Sequence, residues 1–469
     1  QAITSVQTVH HSLTSSLAVE RTMTFSKPAS HNLKDIAHHF VEKLPGHQKK
    51  QLAEAVANAA SEGRPLRVGT MCSGTDSPVV VFNKLSKALR GLNIEHTFSC
   101  EFAPAKQEWI KANFPNLEYL FGDVNELKTG FAFNHVDGEK VRVPAVDIVI
   151  AGFVCKSVST ENNDREKFAN CIQEACGQTG ETFNGVIGYV RKYKPSLVIC
   201  ENVKGLTMRT KDSAGNIQEP VIHDVAASFR KSGYGFSYSV LDSRDFFLPQ
   251  RRNRCWMWAF KGSENQAAAE EALKTVKLLA EKNKPFKFTS LFRKAGVARC
   301  PIHRLNLRQK AVVKAALRKL PRADRHKDVM VDIAKSAERA PVCISAASCI
   351  VPNSMPYRVK SKTMFTPEQV NCVQGIYKED FPALSKFAKE KPNLTRDLAG
   401  NAFSTTVCMA VGISCLVHAP LEVSKPAPST PVRKSKTQMR AMSPPRPTKR
   451  SMELSPGSPS KRLKRSGSV

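Results

Sequence analysis

Between Leu66 and Phe260 the chain alternates short apolar runs with amphipathic stretches, and the apolar runs end in small or polar residues. The most informative of these runs is Asp147 to Thr160, DIVIAGFVCKSVST, in which a β-type segment, Ile148 to Ala151, stops at Gly152 and hands over to a polar loop carrying Cys155. Open α/β sheets place their chemistry in such loops, outside the carboxyl ends of the strands. The alternation continues on both sides. LRVGTMCSGTDSP reads as a strand and a small-residue turn, followed by a helix over Val79 to Leu89, a strand over Ile94 to Cys100 ending in Glu101, a helix to Asn113 and a strand ending at Asp123. Beyond Cys155 come a helix over Phe183 to Lys192, a strand over Ser196 to Cys200 leading into Glu201-Asn202-Val203, a helix over Val221 to Lys231, a strand over Tyr238 to Leu241, and LPQRRNRCWMWAF. This regularity predicts an α/β fold with a mostly parallel sheet covered by helices on both faces.

A strand, a small-residue turn, a helix and a second strand ending in an acid is the layout of a nucleoside-binding half-sheet. Cys72, Ser73, Gly74 and Thr75 let a ligand approach the backbone, and Glu101 is placed to accept from ribose hydroxyls. There is no GxGxxG, so an adenosyl ligand without pyrophosphate fits better than a dinucleotide.

Length and charge set the domain plan. The 469 residues allow two domains, or one large α/β domain with an insertion, and 41% hydrophobic content supports a core. Residues 1–30 read as a disordered leader and 31–63 as a helical extension broken at Pro45-Gly46, with His38 and His39 expected at the surface. Residues 64–263 are expected to form the first part of the α/β domain, 264–360 a linker helix and a basic inserted domain, 361–418 the closing part, and 419–469 a disordered basic tail. The net charge is +30, of which Lys287 to Lys327 carries +12 and Ser424 to Val469 carries +11, leaving +7 for the remainder. A near-neutral body with two basic blocks points to a polyanion partner, most often nucleic acid. Leu305, Leu307, Val312 and Leu317 interleave the first block and are expected to fold it. KRLKR in the tail, beside Ser-Pro sites, reads as a nuclear localisation signal.

The 13 cysteines show no CxxC, and no paired His at ligand spacing accompanies them, so no metal site is read and a reducing compartment fits. No apolar run approaches the roughly 20 residues of a membrane span, so no membrane partner is expected. The chain opens on Gln1 rather than Met, so its natural start is expected upstream; no secretory signal is read.

Taken in order, these blocks resemble the cytosine-C5 DNA methyltransferases over roughly residues 66–417. The family's opening block is similar to RVGTMCSGTDSP, its ribose acid to Cys100-Glu101-Phe102, and the Asp near its adenine to Asp123 in FGDVNEL. The nucleophile block resembles GFVCKSVS, the Glu-Asn-Val block is Glu201-Asn202-Val203, and the Gln-Arg-x-x-Arg run is Gln250 to Arg254. The closing blocks resemble FTPEQVNCVQGI and AGNAFSTTV. The resemblance implies a Rossmann-like fold binding S-adenosylmethionine through Cys72, Ser73, Gly74, Thr75, Glu101, Phe102, Asp123, Val124 and Asn401. It implies Cys155 as nucleophile with Glu201, Arg252 and Arg254 as catalytic partners, and base flipping from double-stranded DNA. It makes the basic insertion a target recognition domain, with Arg304, Arg308, Arg318 and Arg322 as its DNA contacts. Three positions depart from the family pattern: Val154 stands for its Pro, Lys156 for its Gln, and Cys72-Ser73-Gly74-Thr75-Asp76 for its Phe-x-Gly-x-Gly.

The residue types suit that chemistry. Cytosine C5 is a poor nucleophile until a thiolate adds to C6, and Cys reaches a useful thiolate fraction beside cations such as Lys156, Arg252 or Arg254. Glu201 is suited to protonating N3. Two rival readings are an RNA cytosine methyltransferase, whose Pro-Pro-Cys and Cys-Phe-Thr signatures are missing here, and a chromatin-binding protein with a degenerate methyltransferase fold, which intact Cys155, Glu201, Arg252 and Arg254 oppose.

Overall fold

The structure is a computed structural model that describes residues 28–61, 63–212, 214–292 and 298–421. The expected leader up to residue 27, and the tail from residue 422 with its nuclear signal, lie outside the described residues.

In chain order the main body comprises α1 (Leu33–Lys43), α2 (Gly46–Ser61), β1 (Leu66–Met71), α3 (Ser77–Ala88), β2 (Ile94–Cys100), α4 (Pro104–Asn113), β3 (Tyr119–Phe121), α5 (Val124–Leu127), β4 (Phe131–Asn134), β5 (Glu139–Arg142), β6 (Ile148–Ala151), α6 (Gly177–Tyr193) and β7 (Leu197–Val203). A small hairpin, β8 (Thr210–Lys211) with β9 (Ile217–Gln218), precedes α7 (Ile222–Lys231), β10 (Tyr234–Asp242), β11 (Asn253–Lys261) and α8 (Gln266–Ala280). The nine-stranded sheet runs β10-β11-β7-β6-β1-β2-β3-β4-β5. Its five central strands are parallel, and an antiparallel pair extends each edge. The β4–β5 pair carries no strong apolar alternation in sequence, and it forms as the hairpin that closes the edge beside β3.

Strand periodicity explains the two-sided burial. Ile148 and Ile150 face a core shared with α1, α2, α3, α8 and the last helix, whereas Val149 and Ala151 face a second core with α6 and α7. Leu197 and Ile199 split from Val198 and Cys200 in the same way, as do Trp256 and Trp258 from Cys255 and Met257. Successive side chains of a strand point to opposite faces, so a near-continuous apolar strand must be covered twice.

Two expectations change here. His39 is buried against Phe247, ring centroids 5.3 Å apart, because α1 lays that side onto the turn after β10. α8 belongs to the main core through Ala269, Ala272, Val276 and Leu279, and the Lys43 ammonium donates to Leu279 O and Glu281 O at its carboxyl end.

The insertion holds α9 (Phe288–Leu291), β12 (Ala298–Arg299), α10 (Leu307–Arg318), β13 (Val329–Asp332), β14 (Val342–Ile344), β15 (Pro356–Arg358) and β16 (Thr363–Met364). Its strands form an antiparallel sheet in the order β12-β16-β15-β13-β14. Asn306 and Gln309 close a capping box at the start of α10, and Val312, Val313 and Ala316 pack with Leu305 against Val329, Val331 and Tyr357. Leu307 does not join that core: it is 85% exposed. It lies on the same helical stripe as Ala311, Lys314 and Arg318, all of them exposed, opposite the packed face.

The chain then returns through α11 (Pro367–Cys372), α12 (Leu384–Glu390), α13 (Pro392–Asn401) and α14 (Thr405–His418). Pro392–His418 is apolar and long enough for a bilayer span, but 94% of its most apolar window is buried inside the protein. It serves as core: each fully buried Val, Leu or Ile contributes about 1.5–3 kcal/mol, and α14 packs against α1, α2, α3 and α8.

Candidate active site

The sheet reverses its strand order between β1 and β6, and the loops leaving those strands open a crevice there. On one side stands the turn after β1. Cys72, Gly74 and Asp76 all have positive φ (52°, 57° and 55°). Gly tolerates this freely, and Asp does so better than most residues. Asp76 is also held by Thr70 Oγ1 at 2.7 Å and Ser99 Oγ at 2.5 Å, both donating to its carboxylate. Ser73 N donates to Cys100 O, and Trp109 Nε1 donates to Thr75 O, so the turn is tied to the end of β2 and to α4. Glu101, just past β2, accepts from Gly74 N (2.8 Å) and Ala103 N (2.9 Å). Asp123, past β3, caps α5 through Asn125 N and is otherwise exposed, and Val124 is buried behind it. Burial and the nearby Glu101 and Asp123 carboxylates push the Cys72 thiol up to about 12, which keeps it neutral.

On the other side is the loop after β6. Val154 N donates to Thr182 Oγ1 (3.1 Å) and Ser157 N to Thr179 Oγ1 (3.1 Å), so α6 holds the segment around Cys155. Asn202 Nδ2 donates to Phe153 O (2.9 Å) and ties the loop to β7. The loop is pinned further on, where Arg165 donates to Gly205 O and Met208 O, and where Lys335 of the insertion meets Glu161 at 3.1 Å.

Glu201 enters from β7, one residue beyond the Ala151–Cys200 pair. Arg254 enters from β11, and its Nε lies 3.2 Å from Glu201 Oε1. Oε1 is buried and, among the described residues, accepts no hydrogen bond. Burial raises the Glu201 pKa, with Arg254 and Arg252 opposing. Burial and then the Glu201 charge raise the Cys155 thiol, again against Arg254 and Arg252. The structure therefore brings Cys155, Glu201 and Arg254 into one electrostatic cluster. Lys156 is exposed to solvent. Arg252 acts differently from the expected catalytic group. It is 3% exposed and donates to Ile350 O (2.6 Å), Gly400 O (3.2 Å) and Ala402 O (2.9 Å), so its guanidinium is committed to holding the walls together.

A family model for C-5 cytosine-specific DNA methylases matches residues 82–415. The chain belongs to the C-5 cytosine-specific DNA methylase family. It is 33% identical over 282 residues to DNA (cytosine-5-)-methyltransferase DMT5 of Cryptococcus neoformans, covering 59% of this chain and 11% of that protein. It is 30% identical over 164 residues to the type II methyltransferase M.NgoBV of Neisseria gonorrhoeae, covering 35% of this chain and 34% of that protein. The chain thus spans about a tenth and a third of these relatives. Among solved structures, the S. pombe Dnmt2 methyltransferase superposes with a TM-score of 0.44 at 13% identity, over 75% of this chain and 98% of that one.

For a C-5 cytosine-specific DNA methylase, the crevice fits S-adenosylmethionine on its own evidence. Phe102 is 79% exposed beside Glu101, so an aromatic face stands open to a ligand there. A Cβ on Gly74 would meet only the Asn401 carbonyl, at 3.8 Å, so the turn leaves room for a ligand between the first and closing blocks. The Asn401 side chain itself donates to Asp397 O. The family's missing Pro also has a local explanation: Val154 supplies an N–H that Thr182 accepts, which Pro could not. In the insertion, Arg304, Arg308, Arg318 and Arg322 are all exposed, and Arg308 also donates to Ala334 O (3.1 Å).

The residues that sequence reasoning passed over are the supports. Asn202 was visible in Glu-Asn-Val, but Thr179, Thr182 and Cys349 carry no local signal, because their partners lie 22 to 97 positions away.

Proposed function

We propose that this protein is a DNA (cytosine-5)-methyltransferase that modifies a cytosine swung out of duplex DNA, through a transient bond between Cys155 Sγ and C6 of the base. The observation that carries the reading is the convergence of Cys155, Glu201 and Arg254 at neighbouring strand ends, with a buried Glu201 oxygen that accepts no hydrogen bond among the described residues. Glu201 Oε1 has an ion-pair partner in Arg254 and, among the described residues, no hydrogen-bond donor, so it is open to one from a base. S-adenosylmethionine supplies the methyl group when bound beside Glu101 and Phe102.

The chain's residues do the rest. Glu201 donates to N3 and accepts from the 4-amino group, drawing electrons from C6. The Cys155 thiolate adds to C6, which makes C5 enamine-like and able to take the methyl group. Loss of the C5 proton to solvent then breaks the Sγ–C6 bond, releases the Cys155 thiolate and restores the ring. Arg254 keeps the Glu201 carboxyl oriented. Extruding the base costs a few kcal/mol, which phosphate contacts by the basic insertion offset. The basic tail supports a nuclear address within the same reading.

The test uses labelled S-adenosylmethionine with DNA and RNA as separate substrates. DNA is expected to acquire 5-methylcytosine, Cys155→Ser to abolish transfer while cofactor binding persists, and fluorinated cytosine to trap a covalent adduct on Cys155. Label appearing in RNA alone, or an adduct surviving Cys155→Ser, rejects the proposal.

A further inference from the structure

Two guanidinium groups converge on one sulfur behind the proposed acid. Arg254 Nη2 donates to Cys349 Sγ at 3.5 Å, and Arg252 Nη1 donates to the same atom at 3.8 Å. Cys349 comes from the insertion, between β14 and β15, so this sulfur is delivered by a different part of the chain from Cys155 and Glu201. Arg254 is held at three points: Nε against Glu201, Nη1 on Asn253 O (2.9 Å) and Nη2 on Cys349. Among the described residues the acceptor within reach of a Cys349 proton is Ile350 O at 3.7 Å, and that carbonyl already accepts from Arg252 at 2.6 Å. A thiolate suits the place better than a thiol: it needs no acceptor and satisfies two cations.

We propose that Cys349 is a positioning residue for methyl transfer, a thiolate that anchors Arg254 so that Nε faces Glu201, and so couples seating of the inserted domain to the orientation of the acid. This rests on the reading of Cys155 and Glu201 as the reacting groups. The charged groups around the sulfur are Arg252 and Arg254, with Glu201 and Cys155 across Arg254. Burial alone would raise the thiol, and the two guanidiniums override it and hold it below its ordinary value. Arg252 is pinned by three carbonyls whatever Cys349 does, whereas Arg254 loses one of its three anchors when the sulfur is removed.

Two measurements on the full chain test this. Cys349→Ala is expected to lower kcat by about tenfold or more, as misplacement of a group facing the chemistry does, with KM for S-adenosylmethionine and cofactor affinity unchanged. Cys349→Ser, which keeps an acceptor, restores most of the loss. Independently of activity, alkylation of Cys349 by iodoacetamide, followed by peptide mass spectrometry against pH, is expected to plateau below the range of the other thiols. Arg254→Met should move that plateau to higher pH. Wild-type kcat in Cys349→Ala overturns the proposal, as does alkylation of Cys349 indifferent to Arg254→Met. If wild-type protein transfers no methyl group, the alkylation result still decides whether the thiolate–guanidinium pair exists, so the two failures are distinguishable. If Cys349→Ala does not fold, the alkylation profile of Cys349 and its response to Arg254→Met decide instead.

Discussion

At Cys155 the ordinary means of making a nucleophile are weak. Burial and the Glu201 carboxylate both hold the thiol protonated, and Glu201 is itself held toward its neutral form by burial. The reactive pair, thiolate with protonated carboxyl, has the same proton count as the resting pair, thiol with carboxylate. Coupled groups of this kind titrate as a unit. As pH rises through the Glu201 pKa, the first of the two protons leaves and the rate rises. It stays level while one proton is shared, and falls as pH passes the raised Cys155 pKa and the second proton is lost. Glu201→Gln removes the shared proton. Its kcat is expected to drop by about 10²–10⁴ and to climb with pH instead of levelling, because only thiolate formation then limits it. A kcat–pH profile of the two proteins checks this, and a level profile in Glu201→Gln counts against the proton-sharing account.

At the scale of elements, the site depends on how closely the loop after β6 packs against its neighbours. The segment Lys204 to Thr207 after β7 approaches that loop so closely that a Cβ on Gly205 would stand 2.2 Å from Val158 O. Backbone cannot yield there without moving the segment that begins at Cys155. Gly205→Ala is therefore expected to cut kcat by on the order of 10²-fold, since a displacement of about 1 Å at a reacting group has that effect. The cofactor turn after β1 lies on the other side of the crevice, so S-adenosylmethionine binding by calorimetry should stay near wild type. Loss of both together would mean the substitution unfolds the sheet rather than shifting the loop.

For the whole molecule, the decisive asymmetry is between a folded basic block and an unpatterned one. α10 is fixed by a capping box and by Val312, Val313 and Ala316, so Arg318 and Lys314 stand on a rigid exposed face. Rigid side chains can read base edges, whereas phosphate contacts from an unpatterned polycation carry no sequence information. Neutralising Arg304, Arg318 and Arg322 is expected to alter the methylated sequence context. Truncation after His418 should leave the context unchanged and lower the salt slope of DNA binding by several units at most. Methylation profiling of a mixed-sequence DNA pool separates these outcomes, and a changed context in the truncation alone reverses the two roles.

What the sequence determined by itself was the periodic part. Near-continuous apolar runs ending in Gly, Cys or an acid require strands covered on both faces, and they put Cys72, Glu101, Asp123, Cys155 and Glu201 at the same edge of one sheet. These are local properties, written within each strand and its following loop. Tertiary structure decided the parts that depend on partners distant in the chain. It left Leu307 in solvent, since a helix buries one stripe and the neighbouring sheet chooses which. It left Lys156 exposed and assigned Arg252 to three carbonyls, Ile350 of the insertion and Gly400 and Ala402 of the return segment. It also placed Cys349 against Arg254 from 95 residues away. No local pattern encodes those contacts, because each exists only once the insertion has packed back onto the sheet.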